Sequence, residues 1–167
     1  MKSLFTACLA LGLLAAPALA QSDPQFRGEY SDWRVFTREA DSGLICYALS
    51  RPEDIAPRAH EHGNVYFLVA SWQSGAVDEQ PSLLVGYELR PTSPPEVRVG
   101  SSRFDMFTDG QEGFLDDLDD EPGLIRAMRR GSVMRVTATT VDGVATAYEF
   151  SLSGVTAALQ RVEALCG

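Results

Sequence analysis

Alternation of apolar and polar positions organises most of the chain after residue 31. Trp33, Val35 and Thr37 alternate with Arg34, Phe36 and Arg38, the period of a strand with one buried face. The turn signal Asp41-Ser42-Gly43 and the apolar run LICYAL at 44–49 follow, so the two runs read as a hairpin. Pro52 and Pro57 interrupt strand formation, and residues 51–63 read as a loop. NVYFLVASW at 64–72 is the strongest strand signal, and SLLVGYEL at 82–89 resembles it across a polar connection. After Pro91, Pro94 and Pro95, shorter strands are predicted at 96–99 and 103–108. Alternating, β-branched residues 133–140 and their return at 145–152 flank Asp142-Gly143, a hairpin signal.

Two segments switch to helical period. Acidic residues lead into Pro122, the run 124–130 ends on Arg129 and Arg130, and Gly131 follows. Each end complements the helix dipole, which predicts a short helix over 122–130. At the C-terminus, Val155, Ala158, Leu159, Val162, Leu165 and Cys166 share one face of a helix, with Ser153 as the expected N-cap. The fold class is therefore mainly β: an antiparallel β-sandwich or partly closed barrel of about eight strands, with one short internal helix and a C-terminal helix. A single domain is expected over 32–167, preceded by a flexible leader at 21–31 whose composition is polar.

The N-terminus changes the setting. Lys2, an apolar run from Leu4 to Ala16, Pro17 and the A-x-A pattern ending at Ala20 read as a signal peptide over 1–20. The run is shorter than the ~20 residues a membrane span needs. Cys8 lies within it and is read as part of the discarded peptide. Export to the periplasm or envelope, or secretion, is the expectation. Lys2 is the one lysine of the chain, so its removal takes the net charge from −9 to −10 and leaves arginine as the only basic residue type. Such a chain is a poor ligand for nucleic acid or anionic lipid. Cys46 and Cys166 remain, and an even count in an oxidising compartment favours a disulfide between them. Helical phase places Cys166 on the buried stripe, aimed at the sheet.

Candidate chemistry is sparse. His60-Glu61-His62 is the one histidine cluster, but it lies in a polar, proline-flanked stretch without a recognisable third metal ligand, and a solvated loop is the better reading. Asp116, Asp117, Asp119, Asp120 and Glu121 lack the spacing of a calcium loop and read as the acidic start of a helix. They could serve a carboxylate-dependent hydrolase only if two of them converged in a pocket. Trp33, Trp72, Tyr66, Phe67 and Tyr87 could line a ligand groove, although strand aromatics are more often core. Arg126, Arg129 and Arg130 read as solvated helix-end charges. No nucleophile elbow, phosphate loop or C-x-x-C pair occurs. No catalytic residue, metal or cofactor is predicted.

Four stretches carry a family resemblance: YSDWRVF, CYALSRPED, the pair NVYFLVASW…LLVGYEL, and MFTDG…SLSGVTAAL before the last cysteine. In order and spacing they resemble the invasion-associated locus B family, exported proteins of Alphaproteobacteria. The resemblance implies a β-rich periplasmic or envelope domain linked by its name to host-cell invasion, without a defined reaction. Another branch of the family carries further cysteines where this chain has Thr37 and Val155, so pairing by analogy is unsafe and the two-cysteine argument stands alone. The leading expectation is a non-enzymatic domain that binds an unknown protein or envelope component. A carboxylate hydrolase and a structural oligomer joined at a sheet edge are the alternatives.

Overall fold

The computed structural model describes residues 23–167; the expected signal peptide at 1–20 lies outside the described residues. Among the described residues, eleven strands form one open antiparallel sheet in the order β1-β2-β3-β5-β6-β9-β8-β7-β10-β11-β4. Its first half comprises β1 (Gln25–Tyr30), β2 (Trp33–Ala40), β3 (Gly43–Ser50), β5 (Tyr66–Trp72), β6 (Gln80–Leu84) and β9 (Glu112–Leu115). The second comprises β7 (Glu96–Val99), β10 (Val133–Thr139), β11 (Ala145–Ser151) and the short edge strand β4 (Asp54–Ala56). β8 (Ser102–Asp109) belongs to both. Ser102 to Asp105 pair with β7, and Met106 to Asp109 pair with β9. One strand thus carries the chain round the corner of a two-layered β fold, the expected mainly β class.

The two halves meet through their inward phases. Trp33, Val35, Ala48, Phe67, Val69 and Leu83 of the first half, Met106 of β8, and Val97, Met134, Val136, Tyr148 and Phe150 of the second half are all buried. Phe67 meets Phe150 edge-on with ring centroids 5.9 Å apart. The Trp33 indole donates to the Ser151 carbonyl at 3.0 Å, so this large buried ring leaves no orphan donor. Helix α1 (Glu121–Arg130), led by a 3₁₀ turn at Leu118–Asp120, buries Leu124, Ile125 and Met128. The Asp117 carboxylate caps that turn by accepting from the Asp119 amide at 2.9 Å.

Helix α2 (Val155–Cys166) lies across β1, β2, β3 and β5. Val155, Ala158, Leu159, Val162 and Cys166 are its buried residues. Cys166 is bonded to Cys46 of β3, with the two Cα atoms 5.9 Å apart at a sequence separation of 120. The N-cap, however, is Gly154 and not Ser153. Gly154 adopts φ +88°, and a Cβ there would lie 1.9 Å from the Tyr30 carbonyl oxygen. The turn from β11 into α2 passes so close beneath the β1–β2 turn that only a residue without a side chain fits. The two turns are also clasped: Ser151 Oγ donates to the Asp32 carboxylate at 2.7 Å, and the Asp32 amide to the Ser153 carbonyl at 3.3 Å.

Three expectations are corrected. Within the leader expected at 21–31, Gln25–Tyr30 are not loose but form β1, paired with β2 across a bulge between Phe26 and Gly28. Residues 51–63 contain β4, which pairs with β11. The strand expected to run to Leu89 ends at Leu84. There Gly86 abuts Gly63, whose Cα a Cβ on Gly86 would approach to 2.6 Å. This backbone crossing takes the chain out of the ladder, which it rejoins at one bridge between Leu89 and Thr140.

Candidate interaction face and buried polar chain

Strand alternation gives the first half a second face, turned away from α2 and the core. Across the register, Phe26 pairs with Phe36, Phe36 with Tyr47, and Tyr47 with Ala70. One step along, Arg34, Leu49, Leu68, Ser82 and Phe114 form a parallel row, which continues to Phe107 on β8. The rings touch: Phe26 meets Phe36 edge-on at 5.6 Å, Phe36 stacks on Tyr47 at 5.8 Å, and Phe107 lies 5.7 Å from Phe114. Phe26 is 56% exposed and Phe107 44%, Arg34 is exposed, and Phe36, Tyr47, Leu49, Leu68, Ala70, Ser82 and Phe114 are half-buried. A solvent-facing sheet surface is usually polar on this phase. Here it is an aromatic and aliphatic band.

A groove of about 450 Å³ opens at one end of the band, where Phe36 and Leu49 give way to Arg34, Arg51 and Tyr66. The Arg51 guanidinium lies 5.1 Å from the centre of the Tyr66 ring and donates to its hydroxyl at 2.7 Å. Arg34 is paired with Glu29 at 3.1 Å. Glu53 and Asp32 complete a lining of mixed charge. Burial pushes the Tyr47 phenol up, opposed by Arg38, so this ring stays neutral and serves as an apolar surface with a hydroxyl rim.

The second feature is internal. His62 is not in a solvated loop: it is 5% exposed, and both ring nitrogens are engaged. Nε2 lies 3.0 Å from the Pro57 carbonyl and Nδ1 2.8 Å from the Tyr148 hydroxyl. The Tyr148 hydroxyl lies 2.7 Å from that of Tyr87, which lies 2.6 Å from Thr146 Oγ1, which reaches the Ala138 carbonyl at 3.2 Å. Burial, with the Tyr87 hydroxyl adding to it, holds the Tyr148 phenol well above the ordinary tyrosine range. Four side chains from the 57–65 loop, the 85–89 segment and β11 thus form one continuous polar chain. Its legible signal was the inward phase of Thr146 and Tyr148 beside Phe150, since buried hydroxyls need partners.

The other candidates separate. Of the five aromatics, Trp33 and Phe67 are core, Tyr66 lines the groove, Tyr87 joins the polar chain, and Trp72 is half-buried opposite Ile45. Asp116, Asp117, Asp119 and Asp120 are exposed and Glu121 only partly buried, so the acidic run does not converge on an enclosed cavity. Burial raises the Glu121 carboxyl above the usual range. Arg129 is paired with Glu79, while Arg126 and Arg130 are exposed. Among the described residues no group of three or more His, Cys, Asp or Glu side chains is placed to hold a metal ion. Thr37 lies directly across the ladder from Cys46, and both Thr37 and Val155 are buried.

No family model and no curated protein matches the chain. Among solved structures, the chain is similar to the crystal structure of invasion associated protein B from Bartonella henselae, with a TM-score of 0.57 and 15% identity over 86% of this chain and 98% of that one. At this identity the likeness shows a shared fold. It supports, at that level, the resemblance carried by YSDWRVF, CYALSRPED and the later stretches.

Proposed function

We propose that this chain is an exported, non-enzymatic binding domain of the invasion-associated locus B type, working in the periplasm or at the envelope, and that it docks a protein partner on the outer band of the sheet. The observation that carries the reading is the band itself. Aromatic side chains stand on the solvent phase of neighbouring strands, where the core does not require them, with Phe26 and Phe107 exposed at the two ends, and solvent-facing apolar surface marks interaction sites. The flanking groove supplies Arg34, Arg51 and Tyr66 as a polar rim, the residue types enriched where partners bind. The exposed acidic run gives the hydrolase alternative no pocket in which two carboxylates meet. Pairing through β1 is disfavoured by the bulge between Phe26 and Gly28, which breaks the regular edge a second copy would need.

The test is a quantitative capture from a periplasmic extract with the oxidised domain, run beside Phe36→Ser and Phe107→Ser. Loss of a well-placed aromatic anchor costs about 2 kcal/mol, roughly thirtyfold in affinity. A specific component retained by the parent domain and lost with Phe36→Ser is the expected result. Equal retention by both variants removes the band from the account. Fractionation of intact cells tests export separately, and accumulation of the processed chain in the cytoplasm would overturn it.

A further inference from the structure

The chain of hydroxyls ending on His62 has a direction, and hydrogen-bond arithmetic fixes that direction to the protonation of the ring. The Pro57 carbonyl can only accept, so Nε2 carries a hydrogen in every state. With the ring neutral, Nδ1 is a lone pair and must accept from Tyr148. Tyr148 then accepts from Tyr87, and Tyr87 from Thr146. The Thr146 hydrogen is used there, and the Ala138 carbonyl at 3.2 Å loses its side-chain donor. With the ring protonated, each bond reverses: Nδ1 donates to Tyr148, Tyr148 to Tyr87, Tyr87 to Thr146, and Thr146 to Ala138. Every donor then has an acceptor, as a buried charge requires.

We propose that His62 is a proton-binding site, and that taking up one proton reverses the hydrogen-bond chain from the 57–65 loop through Tyr148 and Tyr87 to Thr146 on the β10–β11 hairpin. No bond to carbon or oxygen is made or broken. One proton enters from solvent onto Nδ1, and three hydroxyl hydrogens rotate to the opposite neighbour. The titratable groups facing the ring are His60 from its own loop at 5.1 Å between centroids, Tyr87 from the 85–89 segment at 6.5 Å and Tyr148 from β11 at 5.4 Å. Glu61, Glu88 and the Asp54–Arg58 pair lie on the neighbouring segments with exposed side chains, and Glu149, beside Tyr148, is paired with Arg135. The hydrogen bonds of the ring go to a hydroxyl and a carbonyl, not to a carboxylate. His60 has a buried Nε2 without a hydrogen-bond partner and stands edge-on to His62, so charge on one ring opposes charge on the other.

Thr146→Val distinguishes a reversible chain from static packing. Valine keeps the shape but takes no hydrogen. In the neutral order Tyr87 loses a donor it can forgo; in the protonated order the partly buried Tyr87 hydroxyl loses the one side-chain acceptor it donates to, the costlier defect. The His62 titration, followed by ring ¹⁵N–¹H NMR in the folded protein, is therefore expected to move downward by about one pH unit in Thr146→Val relative to the parent, a tenfold change in proton affinity. In the parent, both ring nitrogens should carry hydrogens below the midpoint, and the Tyr87 and Tyr148 ring signals should shift with the same midpoint. An Nδ1 that stays bare while the folded protein is acidified, or tyrosine signals flat through the His62 titration, overturns the proposal. If Thr146→Val does not fold, the parent spectra alone decide between these outcomes.

Discussion

Gly154→Ala is expected to cost about 3–5 kcal/mol, among the largest effects of any single substitution here. Two contributions add. A left-handed backbone costs an L-residue about 1–2 kcal/mol. The larger part is steric: the new Cβ would stand 1.9 Å from the Tyr30 carbonyl oxygen and 3.1 Å from Ser31 Cβ, and neither belongs to a flexible side chain that can swing away. Either the β1–β2 turn lifts, breaking the Asp32–Ser151 and Asp32–Ser153 hydrogen bonds, or α2 leaves its seat. Urea denaturation measures this; at a slope of about 2 kcal/mol per molar, the midpoint falls by roughly 2 M. Gly75→Ala is the control. Its φ of +72° imposes the same backbone penalty, but a Cβ there meets nothing within 4 Å. A loss no greater at Gly154 than at Gly75 would refute the close-approach argument.

Breaking the Cys46–Cys166 bond is expected to cost about 3–5 kcal/mol. The bridge encloses a loop of 120 residues. The chain-entropy model gives close to 5 kcal/mol for such a loop, and removal of native disulfides from small domains generally costs 2–5 kcal/mol. Reduced thiols would still pack as small apolar groups, because Cys46 is fully buried and Cys166 is 6% exposed. Most of the change therefore falls on the unfolded chain, which expands when the tie is released. Urea curves with and without reductant should show a lower midpoint and a steeper slope in the reduced protein. Two alkylatable thiols in the unreduced protein, seen by mass spectrometry, would contradict the bond. Gly154 and Cys166 hold opposite ends of α2, so the double change is expected to cost less than the sum of the single ones.

What could be read in advance followed from local pattern. β10 and β11 alternate strictly because one face is core and the other is water, and α1 announces itself through Pro122 and its terminal arginines. The disulfide needed only a count and a helical phase. β1 escaped because an exposed edge strand, with Gly28 in its middle, has no need of apolar alternation; its order comes from β2. β4 is three residues beside a proline and exists by pairing with β11. His62 read as solvated because the groups that satisfy it come from elsewhere, Tyr148 lying 86 positions away in sequence. The outer band was half visible: Phe36 sits on the polar phase of its strand, and Tyr47 lies in a run apolar on both phases. Such a doubled pattern signals a strand with something to cover on each side, which a single-faced template ignores.

The seat of α2 also couples segments that lie far apart in the sequence. Its platform is β1, β2, β3 and β5, all drawn from residues 25–72, while the helix is drawn from residues 155–166. Without α2, the inner face around Val35 and Ala48 lacks its cover, however well the β2–β3 hairpin has paired. Truncation anywhere in α2 would therefore leave more than a shortened tail: it would strand an apolar platform at the opposite end of the chain.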